Sequence, residues 1–241
     1  MPAAAQSPPA ANNSSFEAAT IKPHNPDILG FGVNIQGRHL KTVNTSLSDL
    51  MAFAWRIQAR QISGGPPWVT TERYDIEAEA APGEAPIRNM MQNLMAERFR
   101  LTFQRETRKL PVYAIAATKD LSRLAKFPGD PNGSPTYGFR QLGVMNVNNG
   151  TMSDLAGWFQ RYVMDRPVVD HSGIAGRYTF ELTWRPDQFQ FPDIGGQLPR
   201  PDNERPDLFT ALRQQLGITM ESTKADVEVF VIDHVKKPSE N

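Results

Sequence analysis

Polar and apolar residues alternate along Phe16-Glu-Ala-Ala-Thr-Ile-Lys22, with Phe16, Ala18 and Thr20 on one side and Glu17, Ala19 and Ile21 on the other. That period predicts a strand, stopped by Pro23 and Asn25-Pro26. Phe31–Ile35 and Arg38–Val43 read as two strands joined by a tight turn at Gln36-Gly37, where glycine supplies the positive φ of a short hairpin. The period then lengthens. Leu47, Leu50, Met51, Ala54 and Ile57 share one helical face. Ser46-Leu-Ser-Asp49 in front of them has the residues of a reciprocal helix cap. Gly64-Gly-Pro-Pro67 reads as a turn and Arg73–Ala80 as a strand. Ile87–Arg98 reads as a second helix with Met91, Met95 and Phe99 inward. Phe99–Glu106 and Val112–Ala116 both alternate, and the charged residues between them predict a closing hairpin.

The same order then recurs. Tyr137–Val147 is again strand, turn and strand, and Thr151-Met-Ser-Asp154 repeats the capping pattern ahead of Met152, Leu155, Ala156, Phe159 and Val163. Tyr178 follows an arginine as Tyr74 does. Leu216–Glu221 and Val229–Ile232 correspond to Phe99–Gln104 and Val112–Ile115. Shared cap, middle strand and final hairpin in one order predict an internal duplication. The expected architecture is an α+β protein of two similar lobes, each with two helices packed on small mixed β-sheets. Residues 1–15 form a tail, 16–118 the first repeat, 119–135 a charged, Pro- and Gly-rich linker, and 136–238 the second repeat with an inserted loop at about 185–207. Cutting within Pro128–Pro135 is then expected to leave two fragments that each fold.

Composition narrows the function classes. In 241 residues, 26 basic and 26 acidic side chains cancel, so no long-range positive field draws in nucleic acid. The chain has no cysteine, which removes disulfides, thiol nucleophiles and cysteine-zinc sites together. No apolar run approaches the roughly 20 residues of a membrane helix, so no integral membrane segment is expected. Met1–Ser15 is small, polar and proline-rich, like the stretch left after a secretory leader is cut, and predicts a periplasmic or extracellular location.

Phe16–Pro23, Gly64-Gly-Pro-Pro-Trp68, Tyr74–Ala78, Glu97–Leu101, Arg166-Pro-Val-Val-Asp170 and the ending Val231–Asn241 together resemble an uncharacterised exported family of unknown function that is abundant in acidobacteria. The resemblance runs from Phe16 to the end. It implies an exported protein, in some relatives joined to membrane-bound sensor peptidases, and it brings no catalytic residues. Each half is also similar, more loosely, to the short N-terminal domains of secretins and TonB-dependent receptors. The second half carries this better, through Val169–Phe180, and the first departs at Gly64–Trp68. Such domains bind other periplasmic proteins.

Chemistry is thinly represented. His24, His39, His171 and His234 include no pair at helical metal-site spacing, and no metal or cofactor is expected. Asp170-His171-Ser172 holds the residue types of a triad, but sequence neighbours cannot line up three side chains for proton relay. Glu77 and Glu79 share one strand face and read as solvated. The more informative side chains are aromatic. Trp68 and Trp184 are expected as partly buried caps on the sheets, and Phe189 and Phe191, in a loop without a core pattern, as exposed contacts. These four are the candidate binding residues. The leading expectation is a non-catalytic binding or interaction module of the cell envelope with a protein partner, using sheet edges or the 185–207 loop. The alternative is a small-molecule or peptide binding protein, or an unrecognised enzyme, using a groove between the lobes.

Overall fold

The computed structural model describes residues 15–27, 32–81, 86–133, 135–191 and 204–238. In chain order the elements are β1 (Phe16–Pro23), β2 (Gly32–Gln36), β3 (His39–Thr45), α1 (Leu47–Trp55), β4 (Ile62–Gly64), α2 (Trp68–Thr71), β5 (Tyr74–Ala80), α3 (Ile87–Arg98) and β6 (Thr102–Ala117). They continue as β7 (Thr136–Gln141), β8 (Val144–Gly150), α4 (Met152–Trp158), β9 (Val168–Asp170), β10 (Tyr178–Thr183), α5 (Leu208–Ala211) and β11 (Ile218–His234). Turns of π-helix extend α4 over Phe159–Val163 and α5 over Leu212–Leu216. The fold is mixed α+β, with several small sheets and few helices.

Both helix starts are built as the residues dictate. The Ser46 hydroxyl accepts from the Asp49 N–H at 3.1 Å, and the Asp49 carboxylate accepts from the Ser46 N–H at 2.9 Å. Thr151 and Asp154 do the same at 3.0 and 3.2 Å. Two residues ahead of each cap, Asn44 and Asn149 take φ of 54° and 59°, a left-handed conformation that asparagine tolerates better than most residues. The recurring Arg-Tyr pair ties the middle strand to the capped end. Arg73 donates to the Asp49 carboxylate at 2.7 Å and Arg177 to the Asn149 carbonyl at 2.8 Å, while Tyr74 and Tyr178 are buried in their cores.

The chain forms two compact units whose boundaries fall at Arg108/Lys109 and Ala225/Asp226. In the first, the antiparallel sheet β1-β5-β3-β2 turns Ile21, Leu40, Ile76 and Ala78 into a core with Leu50 and Met51 of α1 and Met91 and Met95 of α3. A bulge between Phe16 and Ala18 lets Phe16 join the same face as Ala19. In the second, the sheet β10-β8-β7 packs Met145, Val147 and Leu182 against Met152, Leu155 and Phe159 of the α4 helix and Leu212 and Leu216 beyond α5. The β7–β8 turn contains Gly143 at φ +71°, where a Cβ would lie 2.2 Å from the Trp184 carbonyl oxygen, so glycine is required there.

The predicted hairpins at 99–116 and 216–232 are instead single strands, β6 and β11, of 16 and 17 residues. The physical reason is in their middles. Arg105-Glu-Thr-Arg-Lys109 and Ser222-Thr-Lys-Ala-Asp226 contain no glycine or asparagine to take the positive φ of a tight hairpin turn. Their charged side chains are exposed along extended backbone instead. A third sheet has the order β4-β11-β6-β9. β4 runs parallel to β11, Ile62 opposite Phe230, and β9 runs parallel to β6, Val168 opposite Tyr113. Each long strand is divided between the units. Phe230 and Ile232 belong to the first core, and Ile115 belongs to the second. The stretch read as a linker, 119–135, lies within the second unit, where Leu124 is buried.

Strand sharing changes what a cut between Pro128 and Pro135 does. A fragment ending there lacks Phe230 and Ile232, each contributing about 1.5–3 kcal/mol of burial, and the other fragment lacks Ile115. Expressed singly, the fragments are expected to be unfolded by circular dichroism. Expressed together, they regain native stability. Two fragments that fold alone would contradict the assignment of the strands.

The second cap generates a pH-dependent expectation. Burial pushes the Asp154 carboxyl up, but the hydroxyl and N–H of Thr151, together with the Tyr137 phenol and the charge of Arg177, outweigh it and hold the group below the ordinary aspartate range. A depressed carboxyl stabilises above its unfolded pKa and loses that contribution as pH falls through the folded one. Thr151→Ala should therefore cost about 1 kcal/mol at pH 7. Urea titrations at pH 7 and pH 3 should show the difference from the native protein shrinking at the lower pH.

Candidate interaction surface

Edge strand β7 places Tyr137 and Phe139, two residues apart, on the side that faces α4. The four-residue spacing of Trp158 and Tyr162 brings their rings together across the junction of α4 with its π turn. The rings form a row. Tyr137 stacks on Trp158 at 5.1 Å and 22°, Phe139 meets Trp158 edge-on at 6.0 Å, and Trp158 meets Tyr162 at 4.7 Å. The Arg161 guanidinium lies 5.8 Å from the Tyr162 ring centroid. Tyr162 is 39% exposed, and Tyr137, Phe139 and Trp158 are half-buried.

The row is held from below. Gly150 on β8 makes room for Tyr137, since a Cβ there would sit 2.4 Å from the phenol oxygen. Burial, together with the charge of Asp154, pushes the Tyr137 phenol well above its ordinary range, so it stays protonated at any working pH. Phe139 also packs edge-on against Phe191 at 5.3 Å, and Phe191 stacks on Trp184 at 5.9 Å and 13°. The surface row thus grows directly out of the second core.

The four aromatic residues singled out in the sequence do not form one site. Trp184 is fully buried, and its indole N–H donates to Gln190 Oε1 at 2.8 Å. Phe191, expected as an exposed contact, is only 1% exposed. Asp187 explains the difference, because its carboxylate accepts from the N–H groups of Phe189 and Gln190 and winds the chain into a turn. That turn sends Phe191 inward and leaves Phe189 at 66% exposure. Trp68 is half-buried in α2, against the first core. Of the 185–207 loop, residues 192–203 lie outside the described part of the structure.

Tyr137, Phe139, Trp158 and Tyr162 were missed as a group. Their signal was present as aromatics at i, i+2 on a strand and at i, i+4 on a helix. Nothing local showed that the strand would be an edge.

The polar candidates are satisfied locally. Asp170 accepts from the N–H and hydroxyl of Ser172 at 2.9 and 2.6 Å, which closes a turn and leaves His171 exposed beside it. His24 pairs with Asp75 at 2.8 Å, and the same carboxylate oxygen accepts from the Asn44 N–H. Glu77 pairs with Lys41 and Glu79 with Arg38 on the outer sheet face. Among the described residues, no group of three His, Asp or Glu side chains is placed to hold a metal ion, and no helix is long and apolar enough to cross a membrane.

Residues 48–235 match the family described as "Protein of unknown function (DUF3738)", and the chain belongs to that family. No curated protein and no solved structure matches it.

The inward turn of the 187–191 segment separates two neighbouring phenylalanines by consequence. Phe191→Ala should cost about 3–5 kcal/mol in urea unfolding, as for a large buried aromatic. Phe189→Ala should stay within about 0.5 kcal/mol of the native protein. Equal effects would remove Phe191 from the core.

Proposed function

We propose that the protein is a non-catalytic interaction module of the cell envelope, which takes an extended segment of a partner protein along β7. The observation that carries this is the aromatic row Tyr137, Phe139, Trp158 and Tyr162 beside an edge strand. An added strand gains main-chain hydrogen bonds from the edge, and alternate side chains of the guest meet the rings. Partly exposed Tyr and Trp supply large contact area with few rotatable bonds, which is why such residues dominate interface energies. The envelope location rests on the resemblance to exported proteins and on the small, proline-rich first 15 residues. Internal duplication is part of the same proposal. It is supported by the recurrence of hairpin, capped helix, short parallel strand, middle strand, helix and long strand in both halves.

A photo-crosslinking amino acid at position 162, with the same group at exposed Lys41 as control, tests the docking site in envelope extract. The expected result is one adduct at 162 that is absent at 41, with the crosslinked partner peptide identified by mass spectrometry as an extended segment. Tyr162→Ala in the uncrosslinked protein should weaken that partner about tenfold, or about 1.4 kcal/mol. Adducts at 41 and none at 162 would place binding elsewhere.

A further inference from the structure

Edge strand β7 holds a glycine that the second unit does not itself require. Gly138 is the third of the six residues of the strand, between Tyr137 and Phe139. Glycine inside a strand is less stable than alanine, and it commonly marks a bulge or a place where another chain approaches closely. The bulge of β7 falls after Phe139, while Gly138 pairs in register with Asn146. Two nearby glycines are demanded from within, since a Cβ on Gly143 would strike the Trp184 carbonyl and one on Gly150 the Tyr137 phenol. Gly138 has no such neighbour. Its φ lies outside the left-handed region, and among the described residues no heavy atom comes within 4 Å of where its Cβ would be. We infer that the partner segment taken along β7 carries an aromatic side chain opposite Gly138, which lies across the bare backbone there and meets the Arg140 guanidinium. This rests on the proposed pairing along β7 and states which guest that edge selects.

The face on which the ring would lie is already arranged for it. Gly138 pairs with Asn146 and Asn146 with Glu181, so the three share the sheet face opposite Tyr137 and Phe139. Arg140 reaches the same face, with Nη1 3.4 Å from the Glu181 carboxylate. Asn146 lies between them. With its amide oriented to satisfy both, it accepts from Arg140 Nε at 3.1 Å and donates to Glu181 at 3.0 Å. The cation is thus held from one side, yet its side chain is 74% exposed.

A guest residue that pairs with Gly138 shares this face. An aromatic ring there covers the uncovered glycine backbone, gaining contact that a Cβ would hold off. The negative face of the ring also complements the guanidinium, through the plane of the cation and not its N–H groups, so the bonds to Glu181 and Asn146 do not compete with it.

Selection of a random peptide library on the whole protein, with the Tyr162→Ala protein as counter-target, supplies the probes. Peptides that bind the native protein more tightly than Tyr162→Ala are guests of the β7 edge. They should share one aromatic position, whose replacement by alanine weakens binding about tenfold. On Gly138→Val protein the aromatic and alanine forms should bind alike, because the new side chain takes the place of the ring. Gly138→Ala fills open space, so it should hold or raise Tm while still reducing the preference for the aromatic form, and unfolding cannot be the cause. The inference is overturned, with the β7 reading intact, if Tyr162-dependent guests share no aromatic position or keep the full preference on both Gly138 variants. A selection that yields no Tyr162-dependent guest overturns both.

Discussion

The first unit of this protein is not complete within a continuous stretch of chain, since it breaks off at Arg108 and resumes at Asp226 after the whole of the second, and that constraint governs the rest. The first core closes over Phe230 and Ile232 and the second over Ile115, so β6 and β11 each serve both units along their length. The hydrogen bond from Gln61 to the Glu228 carbonyl joins residues 167 apart in sequence, and the β4–β11 pairing beside it is as distant. Contacts of that range are entropically late, which places completion of the first unit at the end of folding. The middles of both long strands are charged and exposed, so they gain little from burial and are fixed by the pairings at their ends.

The local architecture was legible in the residues because local chemistry decides it. Ser46 with Asp49 and Thr151 with Asp154 specify helix starts through bonds spanning three residues. Met91, Met95 and Phe99 specify the inward face of α3 by period alone. The hairpins at 99–116 and 216–232 failed for a reason that was also local. Charge alone does not make a turn, because tight turns depend on residues that tolerate positive φ, and none is present in Arg105–Lys109. β4 and β9 were not legible at all. They are three residues long, and each is defined by a parallel partner far along the chain.

The candidate site shows the same division. Aromatic content near the second half of the chain drew attention to Trp184, Phe189 and Phe191, and the rings do cluster there. The opposite exposure of Phe189 and Phe191 was decided by one carboxylate, Asp187, whose bonds to the following N–H groups turn the backbone. Sequence patterns assign residues to faces of elements, but they do not say which strand will lie at the edge of a sheet. Tyr137 and Phe139 alternate like any buried pair, and only the sheet order makes them the margin of a surface.

Edge strands ordinarily carry protection against stray pairing, through charge, proline or shortness. In the first unit, β2 is five residues long, and its neighbour β3 shows Lys41 and His39 outward, so its outer face is polar. β7 is bounded by Pro135 and Arg140 but has Tyr137, Gly138 and Phe139 between them, backed by Trp158 and Tyr162. An aromatic margin next to open backbone groups is a liability in a protein that must avoid association. It is an asset in one that must pair with a chosen strand. The rings also rest on Phe191 and Trp184, fixed in the core by stacking and by the Gln190 bond, so the surface is presented rigidly and a guest need not order it. Rigid support beneath, partly exposed rings above and a strand that ends its sheet among the described residues are three separate properties, and their coincidence at β7 is what supports the proposed recognition there.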